Sequence, residues 1–194
     1  MLRGYKYNTL KVNNIQESIK TKGIQYGRPI IKLDIGEDGI DRNIEKIISL
    51  LNRDIYLCDY LLITGSCMSF KNELISLVRY LPYIVEIETD GTISPKGLSD
   101  LTHVNFCVIL NTDKRRKFDE TLKEYKVLSE YKRAHFLFNI SSKYELNRVQ
   151  KDQEKYNLSP IYISFNNDLK DKVSIIRNSN RNGWFVTPEL SYKE

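Results

Sequence analysis

Four short groups of residues carry the side chains able to do chemistry. Thr64, Gly65, Ser66 and Cys67 follow the apolar run 60–63 and precede "MSFKNELISLVRYL", so a glycine turn, two hydroxyls and a thiol stand where a strand gives way to a helix. A helix start offers unpaired backbone N–H groups to an anion or a carboxylate, and a thiol becomes a nucleophile or metal ligand once ionised. Glu88, Thr89, Asp90, Gly91 and Thr92 gather acceptors and hydroxyls into a second turn. Asp34, Glu37, Asp38 and Asp41 crowd "DIGEDGID" and, with Glu88 and Asp90, offer the hard oxygen ligands that Mg²⁺ takes, partly through water. Asp34 and Asp38 are the candidate metal ligands of that set. Gln16 and Glu17 form a smaller polar pair near the N-terminus. Each group has a plainer reading beside it: Gly65 as a tight turn with Ser66 or Ser69 capping the helix, Asp90-Gly91 as an ordinary turn, and the acidic run as a solvated loop.

The other thiols and the imidazoles complete no catalytic set. Cys58, Cys67 and Cys107 are spaced by nine and forty positions, which matches no zinc or disulfide signature. They read as small buried hydrophobes, with Cys67 the one thiol placed for exposure. His103 and His135 both begin strands, at the end opposite the ligand-bearing rim, and read as structural. No Ser-His-Asp or Cys-His arrangement assembles from them.

The elements that must position these groups alternate. "PIIKLDI" (29–35), "YLLIT" (60–64), "YIVEIET" (83–89), "HVNFCVIL" (103–110), "AHFLFNI" (134–140) and "PIYISF" (160–165) read as strands. Between them, "DRNIEKIISLLNR" places Ile44, Ile47, Ile48 and Leu51 on one helical face, with Asp41 as its expected N-cap. The helix after Cys67 buries Leu74, Leu77, Val78 and Leu81 and ends before Pro82, and "KFDETLKEYKVLSEY" and "KYELNRVQKDQEKYN" read as further helices. Such alternation predicts right-handed crossovers, a mainly parallel sheet and an α/β fold. Ligands in such sheets bind outside the carboxyl ends of the strands, so the turns after the strands are expected to share one rim.

Length and composition narrow the class. A chain of 194 residues fits one domain, 1–194, with no repeat or linker to split it. No apolar run reaches the roughly 20 residues of a membrane helix, and "MLRGYKYNTLKVNN" lacks the apolar core of a signal peptide, so a reduced cytoplasmic protein is expected. The net charge is +5, but acids and bases are interspersed; "DKRRKF" is the densest basic cluster and reads as a solvated loop, which makes a nucleic-acid partner an unfavoured reading.

Four segments, taken in order, resemble the 7-carboxy-7-deazaguanine synthases, radical S-adenosylmethionine enzymes that make the precursor of queuosine and archaeosine. "NNIQESIKTKGIQYGRPIIKLDI" is similar to their opening, in which Ile-Gln-Gly-Glu-Gly precedes a Gly-x-Pro turn and the first barrel strand. "LLITGSCMSFKNELISLVRYL" resembles the strand ending in Thr-Gly-Gly-Glu-Pro, "YIVEIETDGTISP" the strand ending in Glu-Thr-Asn/Ser-Gly-Thr, and "GWFVTPELSYKE" the Pro-Gln-x-His-Lys tail. The resemblance implies a partial (β/α) barrel of the radical S-adenosylmethionine type. It also implies a ligand site built from Gln16, Glu17, Thr64, Gly65, Ser66, Cys67, Glu88, Thr89, Asp90, Gly91 and Thr92, with the second turn meeting a ribose or purine edge.

The departures bear on the chemistry. The family holds an iron–sulfur cluster with a Cys-x-x-x-Cys-x-x-Cys loop after its first strand; "DIGEDGIDRNIEK" holds no cysteine there, and carboxylates are poor substitutes for thiolates. In the Gly-Gly-Glu-Pro turn that grips the amino group of S-adenosylmethionine, Ser66, Cys67 and Met68 replace the second glycine, the glutamate and the proline. The lost acceptor is worth about 1.5–3 kcal/mol. Asp34 falls where the family has an arginine, with Arg28 nearby in sequence, and Glu189 and Ser191 replace the tail's glutamine and histidine. The resulting expectation is a cluster-less, non-catalytic relative with no iron–sulfur cluster. S-adenosylmethionine or a purine-like ligand remains open to it, and so does a partner that is a second copy or an active synthase. An enzyme with new, Mg²⁺-dependent chemistry on a purine or pterin is the second reading, and a purely structural or interaction protein the third.

Overall fold

The computed structural model describes residues 9–24, 26–54, 58–111, 119–165 and 169–187. The cluster "DKRRKF", the turn residues 166–168 and the tail that carries Glu189 and Ser191 lie outside the described residues. Nine strands hydrogen-bond in the order β3-β1-β2-β4-β5-β6-β7-β8-β9. By contacts the chain forms two compact units, the first holding Met1–Ile19, Pro29–Thr89 and Pro95–Phe106, the second Lys20–Arg28, Asp90–Ser94 and Cys107–Glu194.

The first unit is built on β2 (Pro29–Ile35), β4 (Tyr60–Gly65) and β5 (Ile84–Thr89), which pair in parallel. Leu33, Ile35, Leu61, Ile63, Val85 and Ile87 are fully buried, as expected of strands covered on both faces. Two strands were not evident in the sequence. β1 (Thr9–Ile19) runs antiparallel to β2, and β3 (Ile40–Asn43) runs antiparallel to β1 and forms the edge of the sheet. The sheet is therefore mixed at this edge and otherwise parallel where its pairing is described, which bears out the α/β class; a closed barrel is not part of what is seen.

Helix α1 (Ile44–Asp54) packs through Ile44, Ile47 and Leu51, all buried. Its cap differs from the sequence expectation: Asp41 lies within β3 opposite Lys11, and Asn43 Oδ1 accepts from the backbone N–H of Glu45 at 2.8 Å and of Lys46 at 3.4 Å. Both residue types cap well, and the strand claimed the first. Asn43→Ala is expected to cost about 1 kcal/mol in urea unfolding, whereas Asp41→Ala should change stability by less than about 0.5 kcal/mol. Helix α2 (Lys71–Val78) buries Leu74, Leu77 and Val78.

In the second unit β7 (Ala134–Ile140), β8 (Ile161–Phe165) and the short β9 (Phe185–Val186) are parallel neighbours. The helices are α3 (Asp119–Glu130), α4 (Leu146–Tyr156) and α5 (Lys172–Arg181). β6 (Val104–Asn111) begins in the first unit and ends in the second. The segment Lys20–Arg28 closes on itself, with the Lys20 N–H donating to Arg28 O and the Gly27 N–H to Lys20 O, both at 2.8 Å. Gly23 within it has φ +69°, and a Cβ there would stand 2.6 Å from His135 Nε2.

Candidate functional site

The carboxyl ends of β2 and β4 bring Asp34 level with Thr64 and Ile35 level with Gly65. The Thr64 hydroxyl donates to Asp34 Oδ1 at 3.2 Å, and the Asn13 amide approaches Asp34 Oδ2 at 3.5 Å. Asn13 sits where the β1–β2 register shifts between Val12 and Asn14; a bulge of this kind re-aims a side chain. Its amide also lies where a Cβ on Gly36 would be, 2.6 Å away. Sequence reasoning missed Asn13 because a bulge leaves no compositional trace.

Gly65 turns the chain at φ +85°, and a Cβ on it would meet Ile35 O at 2.1 Å and Asp34 Oδ1 at 2.6 Å. One turn of 3₁₀ helix, Cys67–Phe70, then leads into α2. Ser66 does not make the side-chain cap of the plainer reading, and neither does Ser69, since Phe70 occupies the α2 cap position without a side-chain bond. The Ser69 N–H is spent on Ser66 O at 3.0 Å, so the intervening 3₁₀ turn uses a donor that an anion would need.

Cys67 is fully buried, which corrects the expectation of an exposed thiol. Its Sγ donates to Glu88 O at 3.4 Å. Burial first, then the charge of Glu88 and to a lesser degree that of Asp34, push its pKa up to about 12. Burial and the neighbouring carboxylates thus disfavour the thiolate, the form that acts as nucleophile or ligand. Cys58 is half-buried, its thiol donating to Tyr60 O at 3.5 Å. An aromatic disulfide reagent at pH 8 is expected to modify no more than Cys58 quickly in the folded protein. The two buried thiols should react only on unfolding, and rapid labelling of Cys67 would contradict the placement.

The second turn divides between the units at Thr89 and Asp90. On the first unit Thr89 is buried and Glu88 half-buried. On the second, Asp90 Oδ1 accepts from the Thr92 N–H at 3.0 Å and from its hydroxyl at 2.6 Å, with Gly91 at φ +77° between them. Asp90 and Thr92 thus satisfy one another while exposed, the self-bonded turn of the plainer reading.

Gln16 and Glu17 lie within β1, opposite Lys32 and Ile31, and both are exposed. The polar residue of that region taken into the interior is Lys20, 1% exposed, at the start of the segment that leads to Gly27. Its aliphatic stem and charge gave the sequence no sign of burial.

The acidic run does not form a metal cage. Asp34 is engaged by Thr64 and Asn13, Asp38 is exposed, and no cluster of three ligating side chains forms around them among the described residues. Nor does the donor set fit an iron–sulfur cluster. β2 passes through the tight turn 36–39, closed by the Gly39 N–H on Gly36 O at 3.0 Å, straight into β3. Cys58 and Cys67 flank β4 at opposite ends, about 20 Å apart or more at strand rise.

These observations define a class: a mostly parallel α/β sheet with polar turns at the carboxyl ends of β2, β4 and β5. Among solved structures, QueE from Escherichia coli shares this fold, with a TM-score of 0.69 over 94% of this chain and 95% of its own, at 12% sequence identity. QueE is a 7-carboxy-7-deazaguanine synthase, the family that the sequence motifs resemble. No protein-family model and no curated protein sequence matches the chain. No helix among the described residues is long and apolar enough to cross a membrane.

Proposed function

We propose that the chain is a cluster-free relative of 7-carboxy-7-deazaguanine synthase that binds a purine- or nucleoside-like ligand at the turns of the first unit, 64–67 and 88–89, and performs no radical chemistry. The observation that carries this reading is the path of the chain after β2. Where a three-thiolate loop of eight residues would be needed, a turn of four residues leads into a strand paired with β1, and no thiol is within it. Gly65 makes a tight turn after β4, at φ +85°, and Cys67 beside it offers no carboxylate. A Mg²⁺-dependent enzyme is disfavoured because Asp34 is already engaged by two side chains.

Melting curves recorded with S-adenosylmethionine, guanosine and 6-carboxytetrahydropterin test the binding half. A ligand at 100 times its dissociation constant stabilises by about 2.7 kcal/mol. At least one purine-bearing or pterin probe is expected to raise the melting temperature, and no shift from any of them would leave a purely structural role.

A further inference from the structure

A groove of 790 Å³ lies along the sheet edge of the first unit, away from the turns described above in sequence and lined by Thr9, the strand β3, and Lys46, Ser49 and Leu50 of α1. β3 is an end strand among the described residues: one side pairs with β1, and its other side faces no described strand. All four of its residues are exposed, Ile40 to 70%. A free strand edge carries unpaired N–H and C=O groups and adds another strand readily unless it is guarded.

The charges decide which strand it can add. Arg42 and Lys46 line the groove with no ion-pair partner among the described residues, against one carboxylate, Asp41, which lies across from Lys11. A second copy is opposed. In an antiparallel pair, residues directly opposite point their hydrogen-bonding groups the same way, so a two-fold pair centred on β3 sets a residue against its own copy. Asp41 then meets Asp41 or Arg42 meets Arg42, and like charges directly opposite destabilise. The chain's first eight residues carry Arg3 and Lys6 and no acid, the wrong sign for this lining.

We propose that the β3 edge and its groove take an extended acidic segment of a partner protein as an additional strand. Its backbone pairs with Ile40–Asn43, its carboxylates meet Arg42 and Lys46, and its apolar alternate residues rest on Ile40 and Leu50.

The test titrates the full chain with a labelled, end-capped eight-residue peptide alternating valine and glutamate, beside its valine–lysine counterpart, at physiological salt, with amide hydrogen exchange read at 40–43. The glutamate peptide is expected to bind at least tenfold more tightly than the lysine peptide and to slow exchange of the β3 amides. The double variant Arg42→Glu, Lys46→Glu, both positions being exposed, should fold normally and reverse the preference. Equal binding of the two peptides, binding that leaves the β3 amides unprotected, no binding of the glutamate peptide, or an unchanged preference in the double variant would each overturn the proposal.

Discussion

Gly65→Ala is expected to lower stability by about 3 kcal/mol, the sum of a left-handed backbone forced on an L side chain, about 1–2 kcal/mol, and overpacking, about 1–3 kcal/mol. The methyl group would have to enter a space already held by Ile35 O at 2.1 Å, and that atom is backbone in the middle of the sheet. It cannot step aside without breaking the β2–β4 ladder. Gly183→Ala is the matched control, because Gly183 has φ +70° and nothing within 4 Å of the added Cβ. It should cost only the conformational part, about 1 kcal/mol. Urea midpoints at unchanged slope measure both, and equal losses would show that the close approach at Gly65 does not matter.

The second large effect is expected from Cys67→Glu, which puts a carboxylate at the turn. The side chain would be buried beside Glu88 and Asp34, both of which already disfavour negative charge at this position. An uncompensated buried charge costs about 3–5 kcal/mol. Because burial raises a carboxyl pKa, the loss should shrink as pH falls toward 4 and the group protonates. A variant stable at pH 7 would mean that the turn can open to hold a carboxylate. The native thiol gives the opposite test at alkaline pH. Its folded pKa of about 12 exceeds the ordinary thiol value of 9.0, so its contribution is complete below pH 9 and is lost as pH climbs from there toward 12. The difference in stability between the native protein and Cys67→Ala should fall over that window at up to about 1.4 kcal/mol per pH unit.

What could be read in the sequence follows from burial. β4 is a near-continuous apolar run because its residues are covered on both faces, and β5 shows the alternation of a strand, which made both legible. β1 and β3 escaped because an antiparallel edge need not be apolar: only Leu10 and Val12 of β1 are buried hydrophobics, and β3 is exposed throughout. α5 escaped in the same way, having only Ile175 and Ser179 buried. The strand-to-helix turn at Gly65 was legible because glycine at that junction has a steric cause. Its surroundings were not, since Asn13 reaches Asp34 through a bulge 21 positions away, and the burial of Cys67 depends on β5 lying beside it. Motif resemblance assigned Gln16 and Glu17 to the ligand site; in the fold they lie within β1, opposite Lys32 and Ile31, and are exposed.

Anaerobic reconstitution of the purified full chain with iron and sulfide, followed by S-adenosylmethionine and dithionite, tests the proposed cluster-free role most directly. The protein is predicted to stay colourless and to release no 5′-deoxyadenosine. A brown protein with cluster absorbance and 5′-deoxyadenosine formation would contradict it.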